Sequence, residues 1–105
     1  MTFVTITSGK AQKELALSWE WYEERQNGLG DQFAEAIFNR IREIELHPER
    51  YAVVYKSYRQ TAVDTFPFLV IYRIAKKEKL VRIVSIFHMA RSPKRKYRSA
   101  RKKGK

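Results

Sequence analysis

Hydrophobic and polar positions repeat along this chain with two periods, and the change from one to the other divides it. Thr2 to Thr7 (TFVTIT) is short and rich in β-branched residues, which predicts a strand. Ser8 follows, beside Gly9, and suits a helix N-cap because its hydroxyl can accept from a free amide of the first turn. Ala11, Leu15, Trp19 and Tyr22 then recur at spacings of four, four and three, the stripe of an amphipathic helix. Glu14, Glu20, Glu23, Glu24 and Arg25 fill most of the other faces. Trp19 lies on the stripe and is expected in the core. Trp21 is two positions on, so it faces elsewhere and is more exposed, or it covers an edge or a partner. Asn27-Gly28 ends the helix, since glycine accepts the left-handed conformation of a helix C-terminus.

Leu29, Phe33, Ile37, Ile41 and Ile44 form a second helical stripe, stopped at His47-Pro48. The short corner between the two helices predicts an antiparallel helical hairpin. Afterwards the period shortens to that of strands: Tyr51 to Lys56, Tyr58 to Asp64, Phe68 to Ile74 and Leu80 to His88. The last two flank the polar loop AKKEK, a five-residue hairpin connection. No internal repeat is present. The order β-α-α-β-β-β-β gives an α+β fold, with the helix hairpin packed on one face of a mostly antiparallel twisted sheet. The opposite face, or part of it, remains free to bind.

Charge changes this picture by placing an asymmetry on it. The chain has 105 residues and a net charge of +11, and residues 91–105 (RSPKRKYRSARKKGK) hold nine Lys or Arg and no acid. Residues 1–50 carry six basic and nine acidic residues; residues 51–90 carry seven and two. Any anionic partner should therefore meet the second half. A block of like charge repels itself and cannot bury, so residues 94–105 are expected to form a flexible basic tail after a domain of residues 1–93. In that tail Lys94, Arg95, Lys96 and Arg98 would bind a polyanion, and Tyr97 could stack on a base. The absence of cysteine rules out disulfides, thiol catalysis and thiolate metal sites. The longest apolar run, FPFLVIY, is far below the ~18 residues of a spanning helix, so no membrane partner is expected. Residues 1–10 lack the features of a signal peptide, and a cytoplasmic location is expected.

Candidate chemistry is sparse. His47 and His88 lie in different elements without a carboxylate cluster, so neither a metal nor a cofactor is expected. Gly28 and Gly30 match no nucleotide-binding fingerprint. Arg59, Arg73, Arg82, His88 and Arg91 all fall in the basic half, on strands or just past a strand end. An arginine fork on a strand can hold a phosphate, and a histidine can carry a proton near neutral pH. Together they could support phosphodiester cleavage; the alternative is solvent-facing charge on a half-exposed sheet. For Arg73 and Arg82 the solvent-facing reading is the stronger, with non-specific anion binding as their functional alternative.

The ordered series SWEWYEE, NGLGDQFAEAI, IREIELHPERY, YRQTAVDTFPFLVIYRI and VRIVSIFHMARSP resembles the RelE/ParE superfamily of toxins from type II toxin–antitoxin modules, over roughly residues 1–95. That resemblance implies a growth-inhibiting toxin that assembles into an oligomer with a cognate antitoxin. RelE-like members are ribonucleases that cut messenger RNA on the ribosome; ParE-like members inhibit DNA gyrase without being nucleases. In the ribonuclease case Arg59 matches the basic residue of the middle strand. His88 and Arg91 match the cluster ending the last strand, and Tyr97 the C-terminal tyrosine. Phe66-Pro67 and Met89 stand where ribonuclease members carry cations, which favours a ParE-like grouping. A non-enzymatic nucleic-acid-binding module is the remaining alternative.

Overall fold

The computed structural model describes residues 2–90. The expected boundary at residue 93, Arg91, and the tail residues Lys94, Arg95, Lys96, Tyr97 and Arg98 lie outside the described residues.

The elements follow the predicted order: β1 (Val4–Thr7), α1 (Gly9–Arg25), α2 (Leu29–Leu46), β2 (Val53–Tyr55), β3 (Tyr58–Ala62), β4 (Phe68–Ala75) and β5 (Leu80–His88). Ser8 caps α1 as expected, its Oγ accepting from Ala11 N at 3.0 Å while its own hydroxyl donates to Val84 O at 3.2 Å. The corner between the helices is built around Gly28 and Gly30. Gly28 has φ of 90°, a conformation in which a side chain would be strained. At Gly30 an added Cβ would stand 2.7 Å from the Trp19 carbonyl oxygen of α1, so only glycine allows this approach. The Glu23 carboxylate closes the corner, accepting from Gly28 N and Gly30 N, each at 2.9 Å. It sits at the N-terminus of α2, where negative charge is favoured.

Trp19 is a correction. The stripe predicted it in the core, but it is 37% exposed and its indole N–H donates to Asp31 Oδ1 at 2.9 Å. The close approach at Gly30 leaves no room for a ring between the helices, so the indole lies along the seam. The core below is made by Ala11 of α1, Phe33, Ile37 and Ile44 of α2, and Phe68, Val70, Tyr72, Val81, Ile83 and Ile86 of the sheet.

The five strands order as β1-β5-β4-β3-β2, with β1 parallel to β5 and every other pair antiparallel. Three predicted strands are longer than those observed. Thr2 and Phe3 precede β1, and β2 starts at Val53 rather than Tyr51. The strand β3 stops at Ala62, because Val63 to Phe68 folds into a turn with Thr65 at φ of 76°. The β4–β5 loop has four residues rather than five, Ala75 being part of β4.

One irregularity governs the functional end of the sheet. Tyr72 pairs with Ile83 but Ile71 pairs with Ser85, which leaves Val84 as an extra residue in β5. Before this bulge Val81 and Ile83 face the helices; after it Ile86 and His88 do. Strand side chains alternate with period two, so one inserted residue exchanges the faces of everything beyond it. At the bulge Ser85 is fully buried. Its hydroxyl donates to Glu14 Oε1 at 2.9 Å and accepts from Lys10 Nζ at 3.1 Å. The same Glu14 oxygen accepts from Ile86 N at 2.9 Å, and Lys10 closes an ion pair with Glu14 at 3.2 Å.

Below the helices, the Tyr72 hydroxyl donates to Pro48 O at 2.6 Å. Burial pushes the Tyr72 phenol up to about 12, against a smaller downward pull from Arg59. Tyr72→Phe should cost about 1–2 kcal/mol at pH 7, because the buried Pro48 carbonyl loses its donor. The pH dependence has a definite sign. The folded phenol ionises near 12 and an unfolded tyrosine near 10, so the stabilisation is complete below about pH 10 and is lost as pH rises toward 12. Urea melts at pH 7, 10 and 11 should show the gap between wild type and Tyr72→Phe closing across that window.

Candidate functional site

The bulge in β5 aims His88 toward α1. Its ring meets Phe68 edge-on, with centroids 4.9 Å apart, and its Nδ1 accepts from Ala90 N at 3.0 Å. In the neutral imidazole the proton is then carried on Nε2. Beside it opens a cleft of about 790 Å³ between α1 and the β3–β4 turn. Leu17, Trp21 and Tyr22 form its α1 wall; Pro67 and Phe68 form the opposite wall. Ser18, Glu20 and Glu24 complete the rim, so the described lining carries two acids and no Lys or Arg.

Aromatic packing supports this cleft from beneath. Tyr22 lies 5.2 Å from Phe33 and 5.0 Å from Phe66, and Phe33 lies 4.7 Å from Phe68, centroid to centroid. Burial raises the Tyr22 phenol above its ordinary value. Trp21 is 51% exposed, its ring edge-on to Tyr22 and covered on one face by the Arg25 guanidinium at 3.7 Å. This is the more exposed indole the sequence anticipated. Such a surface suits an apolar or aromatic side chain of a partner better than a phosphate.

The structure does not gather the basic residues predicted for phosphodiester chemistry. Arg59 shares the helix side of the sheet with His88, but its guanidinium donates to Tyr51 O at 2.6 Å and Glu49 O at 3.3 Å. It thereby holds the loop between α2 and β2. Arg59 pairs with Tyr72 and His88 with Phe68, four residues apart on β4. At about 3.3 Å per residue their Cα atoms are separated by more than roughly 13 Å. Arg73 and Arg82 lie on the other face, directly opposite each other across β4 and β5. Among the described residues no group of three or more His, Asp or Glu side chains is placed to hold a metal ion, and no helix is long and apolar enough to cross a membrane.

Sequence reasoning missed the cleft. Trp21, Tyr22, Phe66 and Phe68 were visible as aromatics, but their convergence with His88 depends on the bulge.

The family description "ParE toxin of type II toxin-antitoxin system, parDE" matches residues 6–93. The chain belongs to the ParE toxin family. It is thus a type II toxin with an antitoxin for a partner. No curated protein matches its sequence. Among solved structures, a chain of the "Chromosomal ParDE TA system from P. aeruginosa" is similar in fold, with a TM-score of 0.69 and 16% identity over 83% of this chain and 96% of that one. The isolated E. coli RelE toxin is similar with a TM-score of 0.58 and 14% identity, over 98% of this chain and 99% of that one. Two helices on a five-stranded, mostly antiparallel sheet are common to all three.

Proposed function

We propose that this ParE-family toxin arrests growth by inhibiting DNA gyrase rather than by cutting messenger RNA. The observation that carries the reading is the family match over residues 6–93. Geometry supports it from a second side. Cleavage of a phosphodiester needs cations where charge develops on the phosphate, yet the cleft beside His88 is lined by Glu20 and Glu24. Of the two cations expected to help, Arg91 lies outside the described residues and Arg59 is committed to two backbone carbonyls. Phe66-Pro67 lead into β4 and Met89 follows β5, so none of these three positions supplies a cation.

A paired assay separates the two activities. Expression of the chain alone should arrest bacterial growth. Purified protein should inhibit gyrase supercoiling and leave a message intact in a translating extract. Cleaved message with normal supercoiling would establish the RelE-like activity instead, and normal growth at verified soluble expression would remove the toxin reading.

A further inference from the structure

Charge is divided along this chain, and the α1 wall of the His88 cleft belongs to the acidic half. Residues 1–50, which include both helices, carry nine acidic and six basic residues, whereas residues 51–90 carry two and seven. On α1 two pairs of side chains stand one helical turn apart, Leu17 with Trp21 and Glu20 with Glu24. All four line the cleft. The pairs also interlock, since Glu20 follows Leu17, and Glu24 follows Trp21, at a spacing of three. An apolar ridge therefore runs beside an acidic one, with uncharged Pro67 and Phe68 across the opening.

Two features of these ridges call for a partner. Leu17 is 53% exposed and Trp21 51% exposed. Apolar surface of this kind is relieved when another apolar side chain covers it, at about 25 cal/mol per Å². Like charges four apart on a helix repel. Glu20 and Glu24 are both exposed, and the ion pair of Glu24 is a loose one with its neighbour Arg25, at 3.9 Å. The Arg25 guanidinium lies instead over the Trp21 ring. A cation brought from outside would relieve the repulsion between the two acids. The surroundings then select its carrier. A small inorganic cation would leave Leu17 and Trp21 in water, and a nucleic acid would bring phosphates against carboxylates. A protein segment with Lys or Arg beside an apolar side chain suits both ridges, because the aliphatic stem lies on the apolar one while the head reaches the acids. An acidic partner drawn by the net charge of +11 meets the basic half, so a partner bearing cations here is a different one.

We propose that this cleft is where the toxin grips its target, seating a segment of gyrase that presents a Lys or Arg beside an apolar side chain. The cation is held between Glu20 and Glu24, and the apolar group rests on Leu17 and Trp21. The proposal rests on the reading of the chain as a gyrase inhibitor, and adds which surface makes the contact and by what chemistry.

The test measures inhibition of gyrase supercoiling by the purified full-length chain and its variants, each first checked by a thermal melt. Trp21→Ala and Glu20→Lys should each raise the half-inhibitory concentration about tenfold or more, the loss usual for a residue at the centre of an interface. Glu24→Lys repeats the charge reversal one turn on and should do the same. Melting temperature should hold in both lysine variants, because each turns a like-charge pair into an opposite one. They keep the test valid should Trp21→Ala not fold. Glu78→Lys lies in the β4–β5 loop, beyond the end of β4 opposite to Phe68 and His88. It changes net charge equally and should leave inhibition unchanged. Undiminished inhibition by all the cleft variants would overturn the docking site and leave the gyrase reading standing. A loss of antitoxin binding in those same variants would then assign the cleft to that partner. An equal loss in Glu78→Lys would also overturn the site, since net charge would be the cause. A wild-type chain that leaves supercoiling untouched would overturn both readings.

Discussion

Replacing Phe33 by alanine should lower stability by about 3–5 kcal/mol, the largest loss expected from any single truncation in this core. Phe33 is fully buried and is the ring on which the others rest, with Tyr22, Phe66 and Phe68 at 5.2, 5.4 and 4.7 Å between centroids. The cost combines the lost transfer of the ring out of water with the cavity left between α2 and β4. It is a large part of the roughly 5–15 kcal/mol that holds a domain of this size together. The melting temperature should fall by about 15–30 °C. Two of its neighbours, Tyr22 and Phe68, are also walls of the His88 cleft. Any activity that depends on the cleft should therefore fall with the fold, below the new melting temperature as well as above it. Phe33→Leu, which refills much of the volume, should recover more than half of the loss. A thermal melt followed by circular dichroism distinguishes these outcomes.

Glu14→Ala should cost about 2–4 kcal/mol, although Glu14 looks from its helical position like a surface acid. Its carboxylate accepts from the Ser85 hydroxyl and from Ile86 N, and pairs with Lys10. The ion pair is largely shielded, with side-chain exposures of 20% for Lys10 and 12% for Glu14. Truncation leaves two buried donors without an acceptor, at about 1–3 kcal/mol each before relaxation, and strands the Lys10 charge. Glu14→Gln keeps one acceptor oxygen and should lose less than half as much. The same carboxylate anchors the bulge that turns His88 toward α1. The His88 imidazole resonances, shifted by the Phe68 ring beneath it, should move toward those of a free histidine in Glu14→Ala, even at temperatures where the variant is folded. A stable Glu14→Ala with unchanged His88 resonances would mean that the bulge is held by the backbone alone.

The sequence by itself determined the elements and their order. Stripes at helical spacing named Phe33, Ile37 and Ile44 as core, and the structure buries all three. Ser8 and Gly28 were legible as corners because a cap hydroxyl and a left-handed turn are local chemistry, decided within a few residues. The α+β class followed from elements alone, since two helices ahead of four strands can bury their stripes only on one shared face. The family likeness was legible for the same reason, as an ordered series of local signals.

Only the tertiary structure decided how strands meet. Trp19 left the core because the approach of the helices at Gly30 excludes a ring, a distance that no periodicity encodes. Arg59 looked free for a phosphate and is held by two carbonyls from the loop after α2, which lies eight to ten residues away in sequence. Val84 turned His88 to the helix side, and Arg73 was set opposite Arg82 by a pairing across the hairpin. A pattern of side chains states which positions are apolar, but a sheet has two faces. A single extra residue in one strand exchanges them at almost no change in the pattern. Which anion-seeking and proton-carrying groups share a face is therefore a property of register, and register is settled by pairing across the sheet.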